Sequence, residues 1–326
     1  MPFPPPGRRA ALLGLAALAA APASAQDSFP TQPIRIVIPQ SAGSGGDIVA
    51  RLMADPMARA LVQPVIVENR PGANGVLAVN YLKQQKPDGH TLMLAGVSMM
   101  SFNPHLYRGL PYDPLRDFTY VAPVVDTPFV LVASRRSGIT GLGQLVERAR
   151  EKPGELTFAS GGIGNSTHLS TEMLADRAGI RLTHVPYNGS GPAQTSVVAG
   201  ETDVMTMVMG TALPLIRGGQ VVPLAVVRRE RTPQLPEVPT LKEAGQDVPI
   251  MPGWFALVGS AGIPDEAVAR LNAATRAALQ DPAVARRLGE MDLEIMLGTP
   301  AALRGNVETD SALWGDFIRR RGLRVD

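Results

Sequence analysis

Short apolar runs alternate with stretches of helical spacing along most of this chain. Residues 34–38, Ile-Arg-Ile-Val-Ile, read as a buried strand. From 47 to 61 the residues Ile48, Leu52, Met53, Met57 and Leu61 recur at helical spacing and predict an amphipathic helix. A strand at 65–67, a helix at 76–85 and a strand at 91–94 follow. Residues 103–118, with their prolines, predict a long loop with little regular structure. Strands at 120–125 and 129–133 flank Thr127-Pro128. The alternation then restarts: helix 142–150, strand 155–158, helix 166–177, strand 182–185, helix 192–198, strand 204–208, helix 212–217 and strand 222–227. Residues 250–260 read as a strand leading back out of this second unit. The tail predicts helices at 265–279, 282–291 and 300–321, with Pro282 and Pro300 in first-turn positions that helices tolerate.

Strands alternating with helices predict an α/β architecture with largely parallel sheets. The restart predicts two lobes, the second inserted into the first: 26–126 plus 250–326 as lobe 1 and 127–249 as lobe 2. The chain then crosses between lobes near 125–132 and again near 248–257, and two crossovers make a hinge. A cleft lined by the carboxyl ends of strands is where such sheets bind ligands.

Two glycine-rich turns of one design sit on either side of that cleft. The first is Gln40-Ser41-Ala42-Gly43-Ser44-Gly45-Gly46-Asp47, directly after the strand at 34–38. The second is Gly161-Gly162-Ile163-Gly164-Asn165-Ser166-Thr167, after the strand at 155–158. Each reads as strand, turn, helix N-terminus, which aims free backbone N–H groups and the positive end of a helix dipole at one spot. Two such spots on two lobes can close on a small carboxylate. The candidate ligand residues are therefore Gln40, Ser41, Ala42, Gly43, Ser44, Gly45, Gly46 and Asp47 in lobe 1, and Gly162, Ile163, Gly164, Asn165, Ser166 and Thr167 in lobe 2. Asp47 is expected to cap the following helix rather than meet an anion. Ser98, after the strand at 91–94, is a further candidate. Asp203, at the start of a strand, is a candidate for a ligand amine, with a bond to backbone as the alternative. Asn103, Tyr187 and Asn188 also follow strands and are placed near the cleft. His168 is expected to be a packed or hinge histidine, Trp254 a core or hinge residue, and the methionines at 99, 100, 205, 207 and 209 core.

Composition narrows the picture. Arg8 and Arg9, an uncharged Ala- and Leu-rich stretch from 10 to 23, and Ala23-Ser24-Ala25 form a secretory signal peptide cleaved after Ala25. The apolar core is too short to span a bilayer. The paired arginines raise the Tat route, but their neighbours favour Sec export, and no Cys follows for a lipid anchor. The chain has 31 Lys+Arg and 29 Asp+Glu, and removing the signal leaves 29 of each. A neutral mature protein has no basic footprint for nucleic acid or membrane. With 0 Cys, thiolate metal sites and thiol nucleophiles are excluded. The histidines at 90, 105, 168 and 184 have no zinc spacing. No metal and no cofactor is implied. There is no G-x-S-x-G elbow and no P-loop. Gly162-x-Gly164-x-x-Thr167 imitates a dinucleotide fingerprint, but its third glycine and its ribose acid are missing.

Several segments resemble the Bug family of extracytoplasmic solute receptors, the receptor subunits of tripartite tricarboxylate transporters. They are Val67-Glu68-Asn69-Arg70-Pro71-Gly72-Ala73-Asn74-Gly75, Pro87-Asp88-Gly89-His90-Thr91-Leu92, Ser166-Thr167-His168-Leu169, Thr183-His184-Val185-Pro186-Tyr187-Asn188-Gly189 and Gly200-Glu201-Thr202-Asp203-Val204-Met205. Val238-Pro239-Thr240-Leu241-Lys242-Glu243-Ala244-Gly245, Gly253-Trp254-Phe255 and Ala261-Gly262-Ile263-Pro264 continue the series in family order. The resemblance implies a two-lobed periplasmic binding protein of type II-like fold, with two mixed sheets and flanking helices, closing on a small carboxylate. It is expected to be a monomer that serves a membrane permease and is not an enzyme. A receptor that docks on a sensor kinase, or a secreted hydrolase, are the alternatives. The first turn departs from the family pattern: Gln40 stands for an aromatic, Ser44 for a glycine and Gly46 for a hydroxyl residue. Dicarboxylates, tricarboxylates, acidic amino acids and small aromatic acids all fit the resemblance. The few aromatics in the turns favour an aliphatic mono- or dicarboxylate.

Overall fold

A computed structural model describes residues 1, 29–251 and 253–325. The stretch read as a signal peptide, with Arg8, Arg9 and the expected cleavage after Ala25, lies outside the described residues. Among the described residues no helix is long and apolar enough to cross a membrane.

The first half of the chain forms β1 (Ile34–Ile38), α1 (Gly45–Leu61), β2 (Val65–Asn69), α2 (Val76–Lys83), β3 (Thr91–Gly96), α3 (Asn103–Leu106) and β4 (Phe118–Asp126). Next come β5 (Phe129–Ser134), α4 (Leu142–Glu151), β6 (Thr157–Ser160), α5 (Ser166–Ala178), β7 (Thr183–Pro186), α6 (Ser190–Ala199), β8 (Val204–Val208), α7 (Met209–Arg217) and β9 (Val221–Val227). The chain ends with β10 (Trp254–Ser260), α8 (Asp265–Gln280), α9 (Pro282–Glu290), β11 (Glu294–Ile295) and α10 (Pro300–Arg321).

Two mixed sheets result. One runs β11-β4-β10-β3-β1-β2 and the other β7-β6-β8-β5-β9. In each, a parallel trio (β2-β1-β3, β7-β6-β8) meets an antiparallel crossing strand, β10 in the first and β5 in the second. The largely parallel sheets expected from periodicity are thus parallel only in their trios. Both trios carry a glycine turn at the same place, after the central strand.

Burial explains the strand choice. Ile34, Ile36 and Ile38 pack with Met53, Met57 and Leu271, while Val37 faces Ala78, Leu82 and Met93. A strand covered on both faces reads as a continuous apolar run. Trp314 of α10 is fully buried beside Phe102 and Phe317, with ring centroids 5.7 Å and 5.8 Å away.

Several boundaries move. Residues 103–118 are not all loop: a π-helical turn, Ser98–Phe102, runs into the short α3, with Pro104 in its first turn. Proline there gives up an N–H that the helix leaves unpaired in any case. α6 starts at Ser190 rather than at 192 for the same reason, because Pro192 occupies its first turn. The returning strand starts only at Trp254. The two crossovers touch, since both the backbone N–H and the hydroxyl of Thr127 donate to the Gly253 carbonyl.

Candidate functional site

A cavity of about 670 Å³ lies between the two sheets, where β1, β3, β6, β7 and β8 end. That volume suits a small ligand. Among the described residues its lining holds no Asp, Glu, Lys, Arg or His. Of the sequence candidates, Gln40, Ser44, Gly45, Gly46, Ser98, Gly162, Ile163, Asn165, Ser166 and Thr167 line it, as do Tyr187 and Asn188. Ser41, Ala42, Gly43, Asp47, Gly164 and Asp203 are not in the lining.

The first turn is organised by Ser44 and Asp47. Ser44, not Asp47, is the N-cap of α1, and its hydroxyl accepts from the Asp47 N–H. Asp47 reaches back to the Gly43 N–H at 3.0 Å and also accepts from Arg51 Nε and Asn69 Nδ2, each at 2.9 Å. Burial alone raises this carboxyl, but the bonds from Arg51, Gly43 and Asn69 outweigh it and hold the pKa below the ordinary carboxylate range. Asp47 is therefore a saturated anchor of the turn. Gly43 takes φ +78°, which favours glycine, and Ala42 and Gly43 sit exposed at the tip. Among the described residues the Gly45 and Gly46 amides have no intramolecular partner. An ideal Cβ on Gly46 would lie 2.6 Å from Gln40 Oε1 and 3.5 Å from Phe255, so a bare glycine keeps this helix start open.

The second turn is more self-satisfied than its sequence suggests. Asn165 is the N-cap of α5 and accepts from the Thr167 N–H at 2.9 Å. The Gly161 N–H goes to Thr167 Oγ1, the Gly162 N–H to Ser160 Oγ and the Gly164 N–H to His168 Nδ1. The Ser166 N–H crosses the cleft to Ser98 Oγ at 3.0 Å. Most amides expected to face a ligand are thus taken, the Asn165 N–H by the Gly162 carbonyl, which leaves the Ile163 N–H, the Asn165 side-chain NH2 and the hydroxyls as its contribution.

A third helix start replaces them. α6 opens at Gly189–Ser190 with no side-chain cap, and among the described residues its Ser190 and Gly191 amides have no partner. Gly189, Ser190 and Gln194 line the cavity. Ser41 packs over this start from the opposite wall: its Oγ is buried without a partner, 2.9 Å from where a Gly189 Cβ would sit. The signal was available as Asn188-Gly189-Ser190-Gly191, another strand–turn–helix step. Thr211 and Val325 also line the cavity and carry no motif that marks them, and Asn74 and Phe255 line it from segments quoted for the family resemblance without being among the ligand candidates.

Asp203 instead accepts from both the N–H and hydroxyl of Thr157 at 2.8 Å, which locks β8 to β6. Asn103 is bonded within its own wall to Asn74 and Tyr112. Trp254 is buried and donates to Asp310 at 2.7 Å, a core position that also borders the cavity.

Two sheets of equal strand order, with a cleft at the carboxyl ends of their parallel strands, define a two-lobed periplasmic binding protein. Residues 49–323 match the family described as the tripartite tricarboxylate transporter family receptor. Protein BugT of Bordetella pertussis is 32% identical over 307 residues, covering 94% of this chain and 94% of BugT. The structure of R. palustris Rpa4515 with adipate has a TM-score of 0.87 at 30% identity, covering 90% of this chain and 98% of that one. MatC (Rpa3494) from Rhodopseudomonas palustris with bound malate has a TM-score of 0.83 at 32% identity, covering 88% of this chain and 99% of that one. The chain belongs to the tripartite tricarboxylate transporter receptor family, which includes the Bug proteins. It is a solute-binding receptor and not an enzyme.

Proposed function

We propose that this receptor captures a small aliphatic carboxylate between its lobes in the periplasm and delivers it to the permease of a tripartite tricarboxylate transporter. One observation carries the reading: among the described residues the cavity has helix starts with unpaired amides on facing walls and no charged side chain in its lining. An anion there is held by the Gly45 and Gly46 amides from one side and by the Ser190 amide from the other, with Gln40, Ser98, Asn165 and Ser166 offering polar contacts. Charge-assisted hydrogen bonds contribute roughly 1.5–3 kcal/mol each, so four give on the order of 6–12 kcal/mol before the cost of closure. A micromolar complex needs about 8 kcal/mol. The adipate and malate held by the two R. palustris relatives support the ligand class. The moving parts in this reading are 26–126 plus 250–326 against 127–249, hinged where Thr127 meets Gly253. The mature chain begins after Ala25 and works as a monomer.

A thermal-shift screen of organic acids, adipate and malate among them, tests the proposal. At about 100 times Kd a true ligand adds roughly 2.7 kcal/mol. A melt that moves with sugars or cations and with no carboxylate sinks it.

A further inference from the structure

Three aromatic rings stack under the β6–α5 turn without lining the cavity. The His168 and His184 rings lie 4.0 Å apart at 17°, and Phe158 lies 4.7 Å from His184. Each imidazole holds the turn by one nitrogen. His168 Nδ1 accepts the Gly164 N–H at 3.1 Å. His184 Nε2 lies 2.6 Å from Ser160 Oγ, and that hydroxyl accepts the Gly162 N–H at 3.2 Å. The two glycines flank Ile163, and Asn165 follows; both of these residues line the cavity.

The bond from Gly164 needs a lone pair on Nδ1, so His168 carries its proton on Nε2. That Nε2 faces Glu172 on its own helix at 3.8 Å, beyond hydrogen-bond reach. Glu172 is itself paired with Arg321 of α10 at 3.0 Å, so it offers little to an imidazolium. The remaining titratable neighbour is His184 on β7. Burial lowers His168 to about 4, and burial followed by the His168 charge lowers His184 to about 3. A proton added at Nδ1 would point one N–H at another and break the Gly164 bond.

We propose that His168, braced by its stack on His184, is a positioning residue for ligand capture: its neutral Nδ1 holds the Gly164 amide and so keeps Ile163 and Asn165 in the shape the ligand meets. This rests on the cleft being the ligand site.

The test follows the Gly164 amide by nitrogen-15 NMR in the ligand-free full chain. In wild type its resonance shifts with the His168 ring, with an apparent pKa of about 4. His168→Phe keeps a ring in the stack and removes the acceptor. It should speed Gly164 exchange at neutral pH about 10-fold, the effect of losing one bond of about 1.4 kcal/mol, and abolish the titration. His168→Asn places an oxygen near the Nδ1 position. It should restore protection without restoring the titration. Affinity for any carboxylate that shifts the melt should fall with H168F and recover with H168N. A Gly164 amide unchanged in H168F, or one that titrates in H168N as in wild type, overturns the proposal. If H168F does not fold, the wild-type titration and H168N decide. A screen with no carboxylate hit sinks the ligand reading alone, because the amide measurement needs no ligand.

Discussion

Gly46 has no side chain to spare room for. A methyl there would lie 2.6 Å from Gln40 Oε1 and force that amide aside. Alanine favours the helix that starts here, so the fold should keep its stability. G46A is expected to leave the melting temperature within a few degrees and to weaken carboxylate binding about 10-fold or more, a loss near 1.4 kcal/mol, read by titration calorimetry. Gly164 is a poorer probe than its sequence position suggests. Its φ of +76° forbids proline, and its N–H already belongs to His168, so Gly164→Pro would damage the turn whether or not a ligand touches it. The histidine stack also sets an acid limit. The folded pKa of His168 lies below its unfolded value, so the unfolded chain takes up the proton first and stability falls with pH. The contribution is complete above about pH 6.5 and is lost towards about pH 4, on the order of 3 kcal/mol in all. Below that range the carboxyls of Asp47, Glu68 and Asp117, held low by their partners, continue the loss, whereas Asp126 and Asp310, raised by burial, take up their protons earlier and oppose it within the range. Melts of wild type and H168N between pH 7 and 4 should converge as the pH falls; parallel curves would refute this.

At the scale of elements, α1 ends on a β-branched residue in the wrong conformation. Val62 is its C-cap, with φ +55° and 83% exposure. The left-handed region costs an L-residue roughly 1–2 kcal/mol, and glycine avoids that cost. Val62→Gly should therefore raise stability by about 0.5–1 kcal/mol after the entropy lost to glycine, visible as a higher denaturant midpoint with an unchanged slope. Elements were legible where periodicity and punctuation agree. β1, α1 and the tail helices announce themselves through apolar spacing and the prolines at 282 and 300, although the cap of α1 is Ser44 and not the expected Asp47. α3 was hidden because Pro104 reads as a breaker, and the sequence reading starts α6 on Pro192 although that proline sits in its third position, after Ser190 and Gly191. The cleft was legible as two glycine turns, yet the pairing of their amides was not. Whether the Gly164 N–H faces a ligand or His168 depends on a ring brought in by the following turn of α5, and no spacing rule reports that. Gln194, Thr211 and Phe255 reach the cavity only through tertiary packing.

Across the whole molecule, Arg321 of α10 ties the first sheet's half to α5 in the second through Glu172 and Asp176, at 3.0 Å and 3.2 Å. Ser98 and Ser166 make a second tie. The arginine is 37% exposed, so each pair contributes at most about 1 kcal/mol. Arg321→Ala should lower ligand affinity by about 5-fold at most, since 1 kcal/mol of closure energy corresponds to that factor, and should expand the ligand-free scattering envelope. Affinity unchanged at low salt would refute a closing role. Among the described residues the lining holds no charged side chain, so wild-type affinity should vary little with ionic strength.

The exchanged strands impose an order of assembly. β5 completes the second sheet from residues beside it in the chain, whereas β10 wedges between β3 and β4 only after residue 253 is available. A translocating chain that emerges amino-terminus first thus leaves its oldest sheet unsealed between β3 and β4 until the stretch from Trp254 onward arrives. The second sheet is the first able to finish, and a chain stopped short of Trp254 would show the raw edges of β3 and β4 to whatever waits outside the membrane.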